Sequence, residues 1–251
     1  MATKIEWTEK TWNPVTGCTK VSEACQNCYA EVMARRLKGM GQPKYTNGFK
    51  VTLHHESLSQ PFKWKKPSMV FVVSMGDLFH EDVPFRFIDM VMTVIRNTPQ
   101  HTYQLLTKRA WRMEMYFSTV PVPKNAWIGV TCENRRQYAR INALRRIPGA
   151  SVRFISCEPL LDSLHNINLS GIKWVIAGGE SGPKARPSRP EWFRELRDQC
   201  LATVTPFFFK QWGTWGEDGV KRSKKENGCL LDGEEWKEMP ITNEEMSRLL
   251  R

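Results

Sequence analysis

Seven short apolar runs, each closed by a polar cluster, recur along the chain and constrain its fold more than any other feature. The first is Trp12-Asn-Pro-Val-Thr-Gly-Cys18. The second, Ser68–Met75, ends in Gly76-Asp77-Leu78-Phe79-His80-Glu81. The third, His101–Leu106, ends in Thr107-Lys108-Arg109, and the fourth, Ala126–Val130, in Thr131-Cys132-Glu133-Asn134. The fifth, Ser151–Ile155, ends in Ser156-Cys157-Glu158-Pro159. The sixth, Ile172–Ala177, ends in Gly178-Gly179-Glu180-Ser181-Gly182, and the seventh, Pro206–Phe209, in Lys210-Gln211-Trp212-Gly213. Helical patterns lie between them, over Cys28–Leu37, Phe85–Asn97, Arg135–Arg146 and Pro190–Leu201.

A continuous apolar run reads as a strand buried on both faces, and strands alternating with helices read as a parallel sheet. The predicted fold is therefore α/β, a partial or open (β/α) barrel of TIM type, with a doubly wound sheet as the alternative. In such barrels the strand ends that carry these clusters share one face and build the site. A length of 251 residues suits one barrel of this kind. The predicted division is a barrel with an N-terminal cysteine loop over residues 1–213 and an extension packed on it over residues 214–251. Within the extension, Thr214–Asn227 reads as a surface loop, Leu230–Trp236 as a small hairpin and Asn243–Arg251 as a helix.

No apolar run approaches the roughly 18–20 residues of a membrane span, and the N-terminus has no hydrophobic signal region. The expected location is the cytoplasm, without membrane association, where the seven cysteines stay reduced. A net charge of +11 favours polyanionic partners. Plain solubility explains such a charge as well.

The cysteine loop carries the sharpest chemistry. Cys18, Cys25 and Cys28 are spaced C-x6-C-x2-C. Thiolates are soft ligands for iron–sulfur clusters and zinc. Structural zinc takes four protein ligands, and no fourth stands close by. Three cysteines suit a [4Fe–4S] cluster with one iron left open. Zinc and inert thiols remain the alternatives. Cys132 and Cys157 read as buried small hydrophobes, with a hydrogen-atom donor or auxiliary ligand as the other reading. No Walker phosphate loop is present, and His80-Glu81 is not the zinc-protease motif, because Pro84 stands at the second histidine's place.

A cysteine loop ending Cys-x-x-Cys-Tyr-Ala resembles the radical S-adenosylmethionine (SAM) superfamily, whose common spacing is C-x3-C-x2-C. The segments Leu106–Arg109, Val130–Asn134 and Ser156–Pro159 resemble spore photoproduct lyase and its relatives. Over about residues 5–240 the chain more closely resembles a phage- and prophage-associated family of unknown function, the Gp37/Gp68-like family (DUF5131). Its recurring segments stand here as Trp12–Cys18, Asp77–Glu81, Gly178–Gly182 and Phe208–Gly213.

The resemblance implies a [4Fe–4S] cluster on Cys18, Cys25 and Cys28, and a bound SAM cleaved to a 5′-deoxyadenosyl radical. It implies Ser74, Gly76 and Asp77 at the SAM amino group, with a helix N-cap as the alternative for Asp77. Lys108 and Arg109 would meet the carboxylate, Arg109 or the substrate. Thr131 and Asn134 would meet the ribose, or cap the following helix. Glu158 would contact SAM or substrate, or pair with a basic neighbour. Gly178, Gly179 and Glu180 would contact adenine or substrate. Lys184, Arg186, Lys210, Gln211 and Trp212 would form a basic, aromatic substrate rim, or an ordinary solvated loop. The implied activity is repair or modification of DNA, RNA or a nucleotide, with an electron donor as a further partner. The alternatives are a protein or small-metabolite substrate, and a non-catalytic metal-containing protein that binds nucleic acid.

Overall fold

The computed structural model describes residues 3 and 5–241, so the predicted helix Asn243–Arg251 lies outside the described residues. Seven strands form one sheet in chain order, β1 Lys10–Trp12, β2 Met69–Val72, β3 Thr102–Thr107, β4 Ala126–Thr131, β5 Val152–Cys157, β6 Trp174–Gly178 and β7 Phe207–Gln211. This is the predicted α/β class, an open sheet of partial TIM-barrel type. Every residue of β4 and of β6 is buried, which is why these strands carry no polar alternation. The chain divides into two compact units. One holds the residues up to Gly129 with Arg146–Ala150, and the other Val130–Arg145 with the residues from Ser151 on. Among the described residues no helix is long and apolar enough to cross a membrane.

In the first unit β1 pairs parallel with β2, Lys10 opposite Val70 and Trp12 opposite Val72, and β2 with β3, Met69 opposite Thr102. The crossovers carry α1 Tyr29–Gly39, α2 Phe85–Arg96 and α3 Ala110–Phe117. Helix α2 turns Phe87, Ile88, Val91, Met92, Val94 and Ile95 into the core. Burial of each such side chain contributes about 1.5–3 kcal/mol relative to exposure.

Two local expectations change. The segment Trp12–Cys18 is not one strand. Strand β1 ends at Trp12, because Pro14 has no N–H to offer a ladder, and Val15–Thr16 pairs instead with Thr52–Leu53 as a small antiparallel ribbon. Helix α3 starts directly behind Thr107-Lys108-Arg109 with no Gly or Pro to announce it.

The second unit holds the predicted helices α4 Tyr138–Arg146, preceded by a 3-10 turn over Arg135–Gln137, and α5 Pro190–Ala202. Strand β5 pairs parallel with β6, and β6 with β7. The free edge of β7 is covered: Phe209 N donates to Trp236 O at 2.8 Å and Glu238 N to Phe207 O at 3.2 Å. A covered edge offers no template for a foreign strand. The predicted hairpin is present, with Leu230–Leu231 against Glu234–Glu235. Its turn residue Asp232 accepts from Arg194 Nε at 2.7 Å and from Arg197 Nη1 at 2.5 Å, which ties it to α5. The stretch predicted as loop ends in one helical turn, α6 Lys224–Asn227, closed by a Ser223/Glu226 capping box.

Candidate metal centre

The cysteine loop is built on close backbone contact in the first unit. Gly17 N donates to Met75 O at 2.9 Å and Cys18 N to Phe49 O at 3.2 Å. Gly17 has φ +86°, and a Cβ there would lie 2.2 Å from Lys50 O. A Cβ on Gly76 would lie 2.7 Å from Gly17 O. Only glycine fits at either position. Asn13 fixes the other side, its Oδ1 accepting from Met75 N at 3.0 Å and from Ser74 Oγ at 3.2 Å. The loop then makes a 3-10 turn over Glu23–Cys25 and enters α1 with Cys28 at the N-cap. Tyr29 closes it by donating its hydroxyl to Ser74 O at 2.5 Å.

Arg109 is the hub beneath this loop. It is 5% exposed, and all five of its N–H groups are used. Nε donates to Glu81 Oε2 at 2.7 Å. Nη1 donates to Cys18 Sγ at 3.3 Å and to Asp77 Oδ2 at 3.2 Å. Nη2 donates to Thr19 O at 3.3 Å and Thr19 Oγ1 at 2.9 Å. Burial works against the charge, but Asp77 and Glu81 outweigh it and raise the pKa of Arg109. His80 completes the grip. Its Nδ1 accepts from Asp82 N at 3.0 Å, which leaves the proton on Nε2, 2.8 Å from Thr19 Oγ1. Burial holds this imidazole below its ordinary pKa.

Asp77 is a tie rather than a helix cap. Its Oδ1 accepts from Thr107 Oγ1 at 2.7 Å and Phe79 N at 3.0 Å, and its Oδ2 from Arg109 and, at 3.4 Å, Lys108 N. Helix α2 begins eight residues later behind Pro84. The sequence therefore finds Asp77 and Arg109, but the structure joins them to each other and to the cysteine loop. It also adds Asn13, Thr19, His80 and Glu81, which sequence reasoning missed as site residues. Each lies within a recurring segment or beside a cysteine, and that position is the signal that marks them.

All three loop cysteines are free thiols and partly buried. Burial first, then the charge of Asp77, pushes the Cys18 thiol up to about 11, against the opposing pull of Arg109. A metal bound at Cys18 would have to displace that proton. Cys28 also packs against Ala30, Ala34 and Met75. A cleft of about 710 Å³ opens beside Cys18 and Thr19, and its wall includes Arg35, Lys38, Lys50 and Asp82. Among the described residues no three His, Cys, Asp or Glu side chains are gathered closely enough to share one metal ion. Ligands of a cubane cluster each take a different iron and stand farther apart than ligands of one ion. Three free thiols on one loop, one of them receiving an N–H from a buried guanidinium, fit a cluster of that kind.

The second unit places its predicted residues in internal bonds. Asn134 Oδ1 accepts from Arg136 N at 3.1 Å, a cap of the turn that follows. Thr131 is buried, and its carbonyl accepts from Arg140 Nη1 at 3.0 Å. Glu158 accepts from Lys210 Nζ at 2.6 Å. Glu180 is buried and holds Arg186 through N, Nε and Nη2 at 2.6–2.9 Å. A Cβ on Gly179 would lie 1.8 Å from Trp212 O, so this glycine serves close approach of the β6 and β7 ends. Ser74 meets the cysteine loop through Tyr29 and Gly76 meets it through Gly17, Lys108 N reaches Asp77, and Gly178 stands beside Glu158. The expected basic, aromatic rim is not formed as drawn. Trp212 is 3% exposed, packs on Phe193 and Phe209, and donates Nε1 to Leu230 O, so it offers no face for a base. Gln211 is buried and donates to Ser181 Oγ at 3.0 Å. Of that set Lys184 is exposed. Cys132 and Cys157 are fully buried, and burial pushes the Cys132 thiol up to about 12 and Cys157 well above its ordinary value.

Comparison with solved structures finds the fold of spore photoproduct lyase. A cysteine-to-serine variant of that lyase aligns at 12% identity with TM-score 0.51, over 88% of this chain and 69% of the lyase. The lyase complexed with dinucleoside spore photoproduct aligns at 13% identity with TM-score 0.49, over 76% of this chain and 71% of the lyase. A lyase variant with bound AdoMet and the same dinucleoside aligns at 12% identity with TM-score 0.47, over 67% of this chain and 55% of the lyase, so the chain spans about half of that relative's length. No curated protein matches the chain. The family described as protein of unknown function (DUF5131) matches residues 2–240.

Proposed function

The chain belongs to the DUF5131 family, and we propose that it is a radical SAM enzyme, with Cys18, Cys25 and Cys28 as ligands of a [4Fe–4S] cluster and a nucleic acid or nucleotide as substrate. The observation that carries this reading is the cysteine loop itself, three free thiols seated on two interlocked glycines and gripped by a buried, fully bonded Arg109. That is a great deal of fixed structure for a loop of inert thiols. When bound, the cluster with SAM supplies a carbon radical that abstracts hydrogen from substrate. The chain's own residues bind and orient. Cys18, Cys25 and Cys28 would hold the cluster through three thiolates. Ser74 and Gly76 line the β2 end for the SAM amino group, and Lys108 offers a cation for its carboxylate. Asp77 and Arg109, with their bonds already made inside the protein, hold the loop rather than the ligand.

Two features support an anionic substrate. The net charge is +11, and the cleft beside Cys18 carries Arg35, Lys38 and Lys50 against Glu31 and Asp82, with Arg35 paired to Glu31. Phosphate contacts through such side chains release counterions, so binding to DNA or RNA must weaken steeply as salt rises. Binding that ignores salt would favour a protein or small-metabolite substrate.

The test is anaerobic reconstitution with iron and sulfide. The expected product is brown, holds about four iron and four sulfide per chain, and cleaves SAM to 5′-deoxyadenosine under dithionite. A chain that takes up no cluster, or whose intact cluster leaves SAM uncleaved, overturns the reading.

A further inference from the structure

We propose that Arg109 is a positioning residue that sets the reduction potential of the cluster through Cys18, an inference that rests on the function proposed above. The geometry is specific. Nη1 of Arg109 donates to Cys18 Sγ at 3.3 Å, and the other N–H groups are fixed by Asp77, Glu81 and Thr19, so the donor has no alternative partner to swing toward. The residue is 5% exposed, so water screens its charge only weakly. The Thr19 contacts lock the residue next to Cys18 onto the same guanidinium. His80 braces Thr19 from the other side at 2.8 Å. The cation is thus held against one particular sulfur.

Reduction of the cluster adds one electron, supplied in the test below by dithionite, and no proton is required. The added negative charge spreads onto the ligand sulfurs. An N–H bonded to a ligand sulfur, and a buried positive charge beside it, stabilise the reduced form more than the oxidised form. Asp77 and Glu81 oppose this. Asp77 shares Nη1 with Cys18 and Glu81 takes Nε, so both cancel part of the guanidinium charge while keeping it in place. The structure therefore pairs a direct N–H···S bond with a damped charge. Lysine cannot reproduce it, because an ammonium is a point charge without the rigid fork that reaches sulfur, carboxylate and carbonyl at once.

The experiment compares wild type with Arg109→Gln and Arg109→Lys, each reconstituted anaerobically and titrated with dithionite while the reduced cluster is followed by electron paramagnetic resonance (EPR). The midpoint potential of Arg109→Gln should fall below wild type, and that of Arg109→Lys should lie between the two. Iron content and melting temperature measured in parallel report any purely structural loss. A cluster of unchanged potential in both variants, whatever its occupancy, overturns the inference and leaves Arg109 a loop anchor. Where Arg109→Gln holds no cluster, Arg109→Lys decides alone, a lowered potential supporting the inference and an unchanged one overturning it. Failure of the wild-type chain to take up a cluster is a different result, which removes the proposed function and this inference with it.

Discussion

At the residue scale the site depends on positions with no tolerance for a side chain. Gly17 and Gly149 both have positive φ, +86° and +72°, but their surroundings differ. A Cβ on Gly17 meets the Lys50 carbonyl at 2.2 Å, while one on Gly149 meets nothing within 4 Å. Gly17→Ala should therefore cost roughly 2–4 kcal/mol, from backbone strain plus overpacking, and displace the cysteine loop. Gly149→Ala should cost about 1 kcal/mol, from strain alone. Urea denaturation of the two variants checks the difference, and equal losses would show that the close approach at Gly17 carries no energy. The cysteines stand out by their spacing, and Asp77 and Arg109 by their place in the clusters that follow β2 and β3. Their partners do not. The resemblance assigns Arg109 and Asp77 to a ligand, and nothing in the sequence shows that the two charges meet.

The elements were read well where one periodicity ruled. Strands β2, β4 and β6 and the Phe207–Phe209 start of β7 declare themselves as apolar runs, since both faces are buried, while β5 carries Arg153 within its run. The sequence pattern carries strand β1 past Asn13-Pro14, where ladder hydrogen bonding cannot follow. No pattern marks helix α3, whose eight residues Ala110–Phe117 follow the Thr107-Lys108-Arg109 cluster without a boundary signal. The β3–β4 connection also holds a tie that no pattern reveals. Asn125 Nδ2 donates to Ile95 O at 2.9 Å, His101 O at 3.0 Å and Thr98 O at 3.3 Å, joining the end of α2 to the start of β3. Asn125→Ala strands those carbonyls and should cost about 1–3 kcal/mol. A chemical-denaturation midpoint unchanged from wild type would show that water replaces the amide without loss.

For the whole molecule, buried histidines set the response to acid. Burial, aided by the charge of Lys44, holds His54 below its ordinary pKa of 6.5, and burial, aided by Lys10, does the same for His101. The fold favours the neutral imidazoles. Their contribution is fully present above the unfolded value of 6.5 and is lost as pH falls from there toward the lowered folded values. The melting temperature should drop between about pH 7 and about pH 5, with a shallower drop in His101→Gln. A flat profile in wild type would contradict this.

The proposed function requires that Cys18, Cys25 and Cys28 hold a cluster with one iron left open. The direct test is the EPR spectrum of the anaerobically reconstituted, reduced protein before and after addition of SAM, beside Cys25→Ala. The account predicts a cluster signal that shifts when SAM binds the open iron, and loss of that signal in Cys25→Ala. A signal indifferent to SAM, or one that survives loss of Cys25 unchanged, would contradict it.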